Sequence, residues 1–174
     1  MGSEQKSFPH LEQDHLELSI SAQKKIAESK DKGERLKVLQ SIASLDALWV
    51  YDVLLNALAD PNEEIRNYLV TQLAQKENLD PGLLYNRLSK PPWFIKNEIL
   101  KILGILKNPR SAKHIEIILK ESNDDVRRTA AEVLGNIGGE IARALLVKLT
   151  QDQNPFVRKT AEKSLNKTSR LKFL

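Results

Sequence analysis

Residues 123–135 read Asn123-Asp-Asp-Val126-Arg127-Arg-Thr-Ala130-Ala-Glu-Val-Leu134-Gly135, and a shortened form of this phrase recurs along the chain. Each copy has a cap residue, two variable residues, an aliphatic residue, a basic residue and then an apolar helical pattern. The intervals between successive basic residues are 30, 31 and 31 residues, and a further step of 31 back leads to Arg35. Such a period is typical of an α-solenoid, in which helix pairs bury their apolar faces against neighbouring pairs. The basic residues, called the basic ladder below, are Arg35, Arg66, Lys96, Arg127 and Arg158.

The apolar positions around each basic residue follow one helical stripe. They recur at −1, +3 and +7 from the base, and spacings of four residues place them on one side of a helix. The first helix of each pair is less regular, and we expect it at about residues 11–29, 47–59, 82–90, 110–121 and 140–151. The pattern predicts an all-α fold, a right-handed α-solenoid (superhelix) of about five helix pairs. The stripe residues are Ile65, Leu69, Leu73, Ile95, Ile99, Leu103, Val126, Ala130, Leu134, Val157, Ala161 and Leu165.

The starts of the helices are also visible in the sequence. Asp and Asn side chains are good N-caps because their oxygens accept hydrogen bonds from the free amides of the first turn. A proline directly after the cap fits the same position, since its missing N–H has no helical partner to lose. The predicted caps are Asp31, Asn62, Asn123 and Asn154, together with the cap-proline pairs Asp80-Pro81 and Asn108-Pro109.

Composition limits the class of protein. The 174 residues are 41% hydrophobic and 29% charged, which is typical of a globular domain. No apolar run approaches the roughly 18 residues of a membrane span, and the first residues lack the apolar core of a signal peptide. There is no cysteine, which excludes disulfides and thiolate metal sites within the sequence. We therefore expect a cytoplasmic protein with no membrane association, no cofactor and no small-molecule substrate.

The phrase at 123–135 resembles HEAT repeats of the phycobilisome-lyase-like type, and the resemblance covers roughly residues 33–167. The segment Pro92-Trp93-Phe94-Ile95-Lys96-Asn97 is similar to a Pro-Trp-Tyr-aliphatic-aliphatic-Arg-Asn variant of bacterial HEAT modules. The resemblance implies about five HEAT-like helix pairs whose second helices line a concave surface, in a family of mostly binding scaffolds. We expect a flexible tail at 1–9 and one HEAT-repeat domain at 10–174, with repeats at about 10–44, 45–77, 78–107, 108–138 and 139–168 and then a C-terminal tail.

Charge is distributed unequally along the chain. Residues 1–87 carry 10 Lys/Arg and 14 Asp/Glu, a net charge of −4, whereas residues 88–174 carry 17 and 9, a net charge of +8. Because the two halves of a solenoid lie at opposite ends, this asymmetry predicts a field that attracts an acidic partner to the C-terminal repeats.

The basic ladder has two interpretations. A row of regularly spaced cations could bind phosphates, or each cation could bond the loops and acids of adjacent repeats and fix the stack. Three ladder residues are preceded by an acid six residues earlier: Asp60 before Arg66, Glu121 before Arg127 and Asp152 before Arg158. In the third repeat the residue six positions before Lys96 is Lys90 instead of an acid. The regular acids favour the structural interpretation.

Candidate partner contacts lie one and five residues after each base, where the resemblance places the concave face. A second candidate is Trp93, because exposed tryptophan is enriched at binding hot spots; the alternative is that its ring only packs the entrance of its own helix. The function that we expect is a non-enzymatic scaffold or adaptor for another protein, with an acidic partner favoured. The candidate contacts are Asn67, Thr71, Trp93, Asn97, Lys101, Arg128, Glu132, Lys159 and Lys163.

HEAT-like DNA glycosylases bind duplex DNA on a basic concave face, and Trp93, Lys96, Lys101, Arg128, Lys159 and Lys163 supply similar ingredients, so nucleic-acid binding or repair is the alternative function.

Metal-dependent catalysis is not expected. His10, His15 and His114 lack the i,i+4 spacing of a helical metal pair, and the His-Glu pairs of the iron-binding HEAT hydroxylases do not occur. His15 instead falls on an apolar stripe with Leu11, Leu18, Ala22 and Ile26, and we expect it to be a half-buried packing residue.

Overall fold

The structure, a computed structural model, describes residues 9–90 and 92–170 of the chain, and the side chains of residues 13–90 and 92–168. Every described residue lies in a helix, a turn or a loop, and no strand occurs within these ranges. The all-α prediction is therefore confirmed. The predicted tail at 1–9 and the predicted C-terminal tail lie almost entirely outside the described residues.

Ten α-helices and two short 3₁₀-helices occur in the described ranges. First and second helices of successive pairs follow one another as expected, and the first helices of the five pairs begin within about two residues of their predicted positions. The α-helices are α1 (Pro9–Glu28), α2 (Lys32–Ala43), α3 (Leu48–Ala57), α4 (Glu63–Ala74), α5 (Pro81–Leu88), α6 (Trp93–Leu106), α7 (Ala112–Ile115), α8 (Asp124–Ile137), α9 (Gly139–Leu149) and α10 (Pro155–Arg170).

The predicted helix caps are formed. The Oδ1 atom of Asp31 accepts a hydrogen bond from the amide of Glu34 at 2.9 Å, and Asn123 caps α8 through the amide of Val126 at 3.2 Å. Equivalent bonds start four further helices, so the loops position each helix from its first turn. The other capping side chains are Asn62, Asp80, Asn108 and Asn154.

The chain divides into two compact units, Met1–Leu69 and Val70–Leu174. In the first unit α1 packs against α2 and α3, and α2 packs against α3. The inward stripe of α1 agrees with the prediction at the buried Ala22 and the half-buried Ile26 and differs from it at His15 and Leu18, which are exposed. Ser19 is buried as well, and the side chain of Leu11 lies outside the described residues. The buried side of α1 uses small residues because these permit close contact with α3. The division of residues 10–174 into one domain of five repeats stays a prediction.

In the second unit the helices form two rows. The second helices α6, α8 and α10 contact one another in sequence, and the first helices α5, α7 and α9 do the same. Small residues set the spacing of the second row, because a Cβ at Gly104 would lie 3.1 Å from Val133 and one at Gly135 would lie 2.7 Å from Ser164. Stacking of successive helix pairs in this way is the architecture of an α-solenoid.

Ten of the twelve predicted stripe residues are buried, and Ile95 and Leu165 are half-buried. One first helix is less regular than predicted. The segment expected at 110–121 is broken into a 3₁₀ turn at Pro109–Ser111, the single turn α7, and a second 3₁₀ stretch at Glu116–Lys120. β-Branched residues at 115, 117 and 118 lower helix propensity there. No helix in the described ranges is both long and apolar enough to cross a membrane.

Candidate functional site

The basic ladder is engaged within the fold, as the structural interpretation predicted. Arg127 is 3% exposed and binds the carboxylate of Asp152 with two hydrogen bonds, from Nε at 2.8 Å and from Nη2 at 3.0 Å. Its Nη1 donates to the backbone carbonyls of Glu121 and Ser122 at 2.6 and 3.1 Å. One guanidinium thus joins the loop of its own repeat to the acid of the next repeat, 25 residues later.

The same arrangement occurs in the first unit. Arg35 binds Asp60 from Nε at 2.7 Å and from Nη2 at 2.9 Å, and its Nη1 donates to the carbonyls of Ser29 and Lys30. Burial alone would raise the pKa of Asp60, but the hydrogen bonds from Arg35 and the Asn62 amide hold that pKa below its usual value. The acid therefore stays ionised and paired.

The third repeat uses a lysine for the same purpose. Lys96 is 7% exposed and forms an ion pair with Glu121, again across an interval of 25 residues. A charge that is buried and paired in this way is unavailable to a phosphate ligand. Lys96, one of the candidate residues for binding nucleic acid, therefore cannot contribute to such a surface.

The candidate contacts of the third repeat lie along one side of α6. Trp93 and Phe94 are 47% and 38% exposed, and their rings meet edge to face with centroids 5.9 Å apart. Lys101 is exposed and pairs with the buried carboxylate of Glu98 at 2.9 Å. Asn97 is only partly exposed, and its buried Oδ1 is the one buried side-chain atom without a hydrogen-bond partner in the described part of the chain.

The candidate contacts of the last two repeats come together between α8 and α10. Arg128 and Lys159 line the same cleft, where Arg128 is held by Asp125 at 2.9 Å. Glu132 and Lys163 lie one turn further along their helices and are exposed. We call Asn97, Lys101, Arg128, Glu132, Lys159 and Lys163 the contact row. The remaining candidates, Asn67 and Thr71, are exposed on α4 in the stretch where the two compact units divide.

One cluster was missed by the sequence analysis. The rings of Tyr85 and His114 stack in parallel with centroids 3.8 Å apart, and the Tyr85 hydroxyl lies 3.0 Å from Oγ of the buried Ser111. Burial lowers the pKa of His114, and the adjacent Lys113 lowers it further. The two rings are 29 residues apart, the same interval that separates Gly104 from Val133, so the repeat register was the signal that could have identified this pair.

No group of three or more His, Cys, Asp or Glu residues is placed to share a metal ion within the described ranges.

Parts of this chain are similar to known proteins. The deoxyhypusine hydroxylase-B of Oryza sativa subsp. japonica is 31% identical over 74 residues, which cover 41% of this chain and 24% of that protein. The chain thus spans about a quarter of the length of this relative. A crystal structure of an engineered protein is 19% identical and covers 86% of this chain and 79% of its own, with a TM-score of 0.46. Residues 112–172 match the family model described as HEAT repeats, so this part of the chain is similar to that family.

Proposed function

We propose that this chain is a non-enzymatic scaffold that binds an acidic protein segment through the contact row of its second unit. The observation that carries the proposal is the state of Lys159 and Lys163. Both are exposed on α10, and neither has a hydrogen-bond or ion-pair partner among the described residues. By contrast, the ladder residues Arg127 and Arg158 bind backbone carbonyls of their own loops, and Arg127 also binds Asp152. The repeats therefore use the ladder cations for internal hydrogen bonds and present Lys159 and Lys163 to solvent.

Rigidity of the supporting helices favours this function. The opposite sides of α8 and α10 are fixed by buried residues such as Val126, Ala130 and Val157, all 0% exposed. A surface that is ordered before binding loses little conformational freedom when a partner docks, which raises affinity for a given contact area. The net charge of +8 on residues 88–174 would steer an acidic partner towards it.

The nucleic-acid alternative is disfavoured by the pairing of its candidate residues. Lys96 is buried against Glu121, and Lys101 and Arg128 are paired with acids on their own helices. The exposed Glu132 lies in the same row. A phosphate backbone would have to compete with these carboxylates at most positions.

The experiment compares Lys159→Glu/Lys163→Glu with the matched control Lys113→Glu/Lys120→Glu, which changes the net charge equally on exposed residues of the other helix row. Association of a polyglutamate peptide and of a short DNA duplex is measured at low and moderate salt. We expect only the first double variant to slow polyglutamate association, and the difference to shrink as salt screens the field.

Equal losses in the two double variants would show that net charge alone attracts the peptide, and would contradict the assignment of the contact row. Tighter binding of the duplex than of polyglutamate, with a steep dependence on salt, would favour the nucleic-acid alternative.

A further inference from the structure

Arg158 is the last member of the basic ladder, and its guanidinium is only half engaged. Its Nη1 donates to the carbonyls of Asp152 and Gln153 at 2.7 and 3.0 Å. Arg127 makes the same two kinds of bond with its own loop, at 2.6 and 3.1 Å. The side chain of Arg158 is therefore fixed in the ladder orientation.

The other half of the ladder arrangement is empty at Arg158. In Arg35 and Arg127 the Nε and Nη2 atoms hold an aspartate through two parallel hydrogen bonds. No described residue accepts a hydrogen bond from these atoms of Arg158, and its side chain is partly exposed. The result is a planar pair of donors, already oriented, with the geometry that binds a carboxylate in two other repeats of the same chain.

The surface around Arg158 does not suit a further repeat packed as α10 packs on α8. The buried Ala131 and Gly135, which α10 approaches closely, correspond to Glu162 and Asn166 one period of 31 residues later. Both are exposed on α10. A helix stacked at the same distance would bury a charge and an amide without partners, which disfavours such packing. A second copy of this chain packed in the same way meets the same obstacle.

We propose that Arg158 is a binding site for one carboxylate side chain, an aspartate or glutamate flanked by neutral residues in an extended segment of a partner protein. Glu162 lies one helical turn from Arg158, and its negative charge repels any further carboxylate that a partner brings close to it. The site therefore favours an isolated carboxylate over a dense acidic tract. It goes beyond the proposed function, because Arg158 lies outside the contact row and its site is built from different donors.

The chain itself supplies the probe. A blocked peptide that copies residues 150–155, with Asp152 at its centre, carries the type of loop that Arg127 binds. The control is the same peptide with asparagine in place of aspartate. The readout is the side-chain Nε–H NMR signal of Arg158 in the full chain, followed as each peptide is added. We expect the aspartate peptide to shift this signal and the asparagine peptide to leave it in place.

Variants separate the charge from the geometry. Arg158→Lys keeps the charge and removes the paired donors, and we expect about a tenfold or larger loss of affinity for the aspartate peptide, the size expected for charge-assisted hydrogen bonds. Lys159→Glu/Lys163→Glu should retain the Nε–H shift at saturating peptide, whether or not the contact row binds polyglutamate. The wild-type titration needs no variant and remains decisive if Arg158→Lys folds poorly.

Three outcomes would overturn the proposal. An unchanged Arg158 signal at saturation, an equal shift with the asparagine peptide, or full affinity in Arg158→Lys would each show that the paired donors hold no carboxylate. If sedimentation showed that the chain self-associates and that Arg158→Lys abolishes the association, the occupant would be a second copy of this chain rather than another protein.

Discussion

Helices α8 and α10 begin with the same phrase and differ in what covers them. In α8 the ladder arginine, Ala131 and Leu134 are all buried, because α6 packs on one side and α10 on the other. In α10 the corresponding residues are the partly exposed Arg158, the exposed Glu162 and the half-buried Leu165. The local sequence motif determines where each helix starts and which side faces inward, whereas the neighbouring helices determine how much of that side is buried.

The largest expected difference concerns the ladder arginines. Arg127→Ala removes both bonds to Asp152 and leaves that nearly buried carboxylate unpaired, so we expect the free energy of unfolding to fall by about 3–5 kcal/mol. Arg158→Ala loses only bonds to two carbonyls, and we expect about 1 kcal/mol. Urea denaturation of the two variants measures both values. Equal costs would mean that the carboxylate pair adds nothing to the carbonyl bonds.

The apolar stripe gives the next comparison. Leu134 is 0% exposed, and Leu134→Ala should lower the free energy of unfolding by about 2–5 kcal/mol through lost transfer energy and the cavity that remains. Leu165 is half-buried at the same position of α10, and Leu165→Ala should cost about 1 kcal/mol because its neighbours can relax towards solvent. Thermal melts at one protein concentration suffice. A larger loss in Leu165→Ala would contradict the assignment of α10 as the less covered helix.

The close approach of α8 and α10 can be tested at Gly135. A Cβ there would lie 2.7 Å from the Cβ and 3.2 Å from the Cα of Ser164, so the helices must separate. Although alanine favours the helix by about 1 kcal/mol over glycine, we expect Gly135→Ala to destabilise the chain by about 1–3 kcal/mol through overpacking. Asn166→Ala, at the exposed equivalent, should stay within about 0.5 kcal/mol of wild type. A stabilised Gly135→Ala would show that the helices pack less closely than this.

The smallest expected effect is a change in pH dependence. The hydrogen bonds from Arg127 hold the pKa of Asp152 below its usual value despite burial. A carboxylate of this kind stabilises the fold fully above its unfolded-chain pKa of about 3.9 and loses that contribution as the pH falls further. Asp152→Asn should therefore be less stable than wild type at neutral pH, and the gap should narrow below about pH 4.

The control for the pH series is Glu140→Gln, which removes one exposed carboxylate from α9 and leaves the ladder intact. Urea melts across the acid range compare the three proteins. A gap between Asp152→Asn and wild type that stays constant down to the lowest pH would show that ionisation of Asp152 does not contribute.

Local signals in the sequence were enough to predict where the helices lie and which of their sides are buried. The caps, the four-residue stripe and the period predicted the starts of the pairs and most of the buried residues, since these depend on the first turn and on one side of each helix. The same period indicated that the ladder was structural. The acid that Arg35 or Arg127 binds, however, belongs to the following repeat, while the acid six residues upstream offers only its backbone carbonyl, as Arg158 shows with Asp152.

Features that depend on packing between helices were not predicted. The exposed Leu18 and the buried Ser19 in α1 reverse a simple apolar stripe, because small side chains permit close contact with α3. The stack of Tyr85 on His114 joins two different repeats and leaves no local pattern. The inward-facing Oδ1 of Asn97 likewise depends on tertiary contacts around α6.

The constant interval of 25 residues between each described carboxylate pair of the ladder has a kinetic consequence. The entropy lost on closing a loop grows only slowly with length, and every one of these loops has the same short length. Contacts of low sequence separation are associated with fast folding. Each unit can therefore assemble from any repeat outward, with no long-range contact needed to start the process.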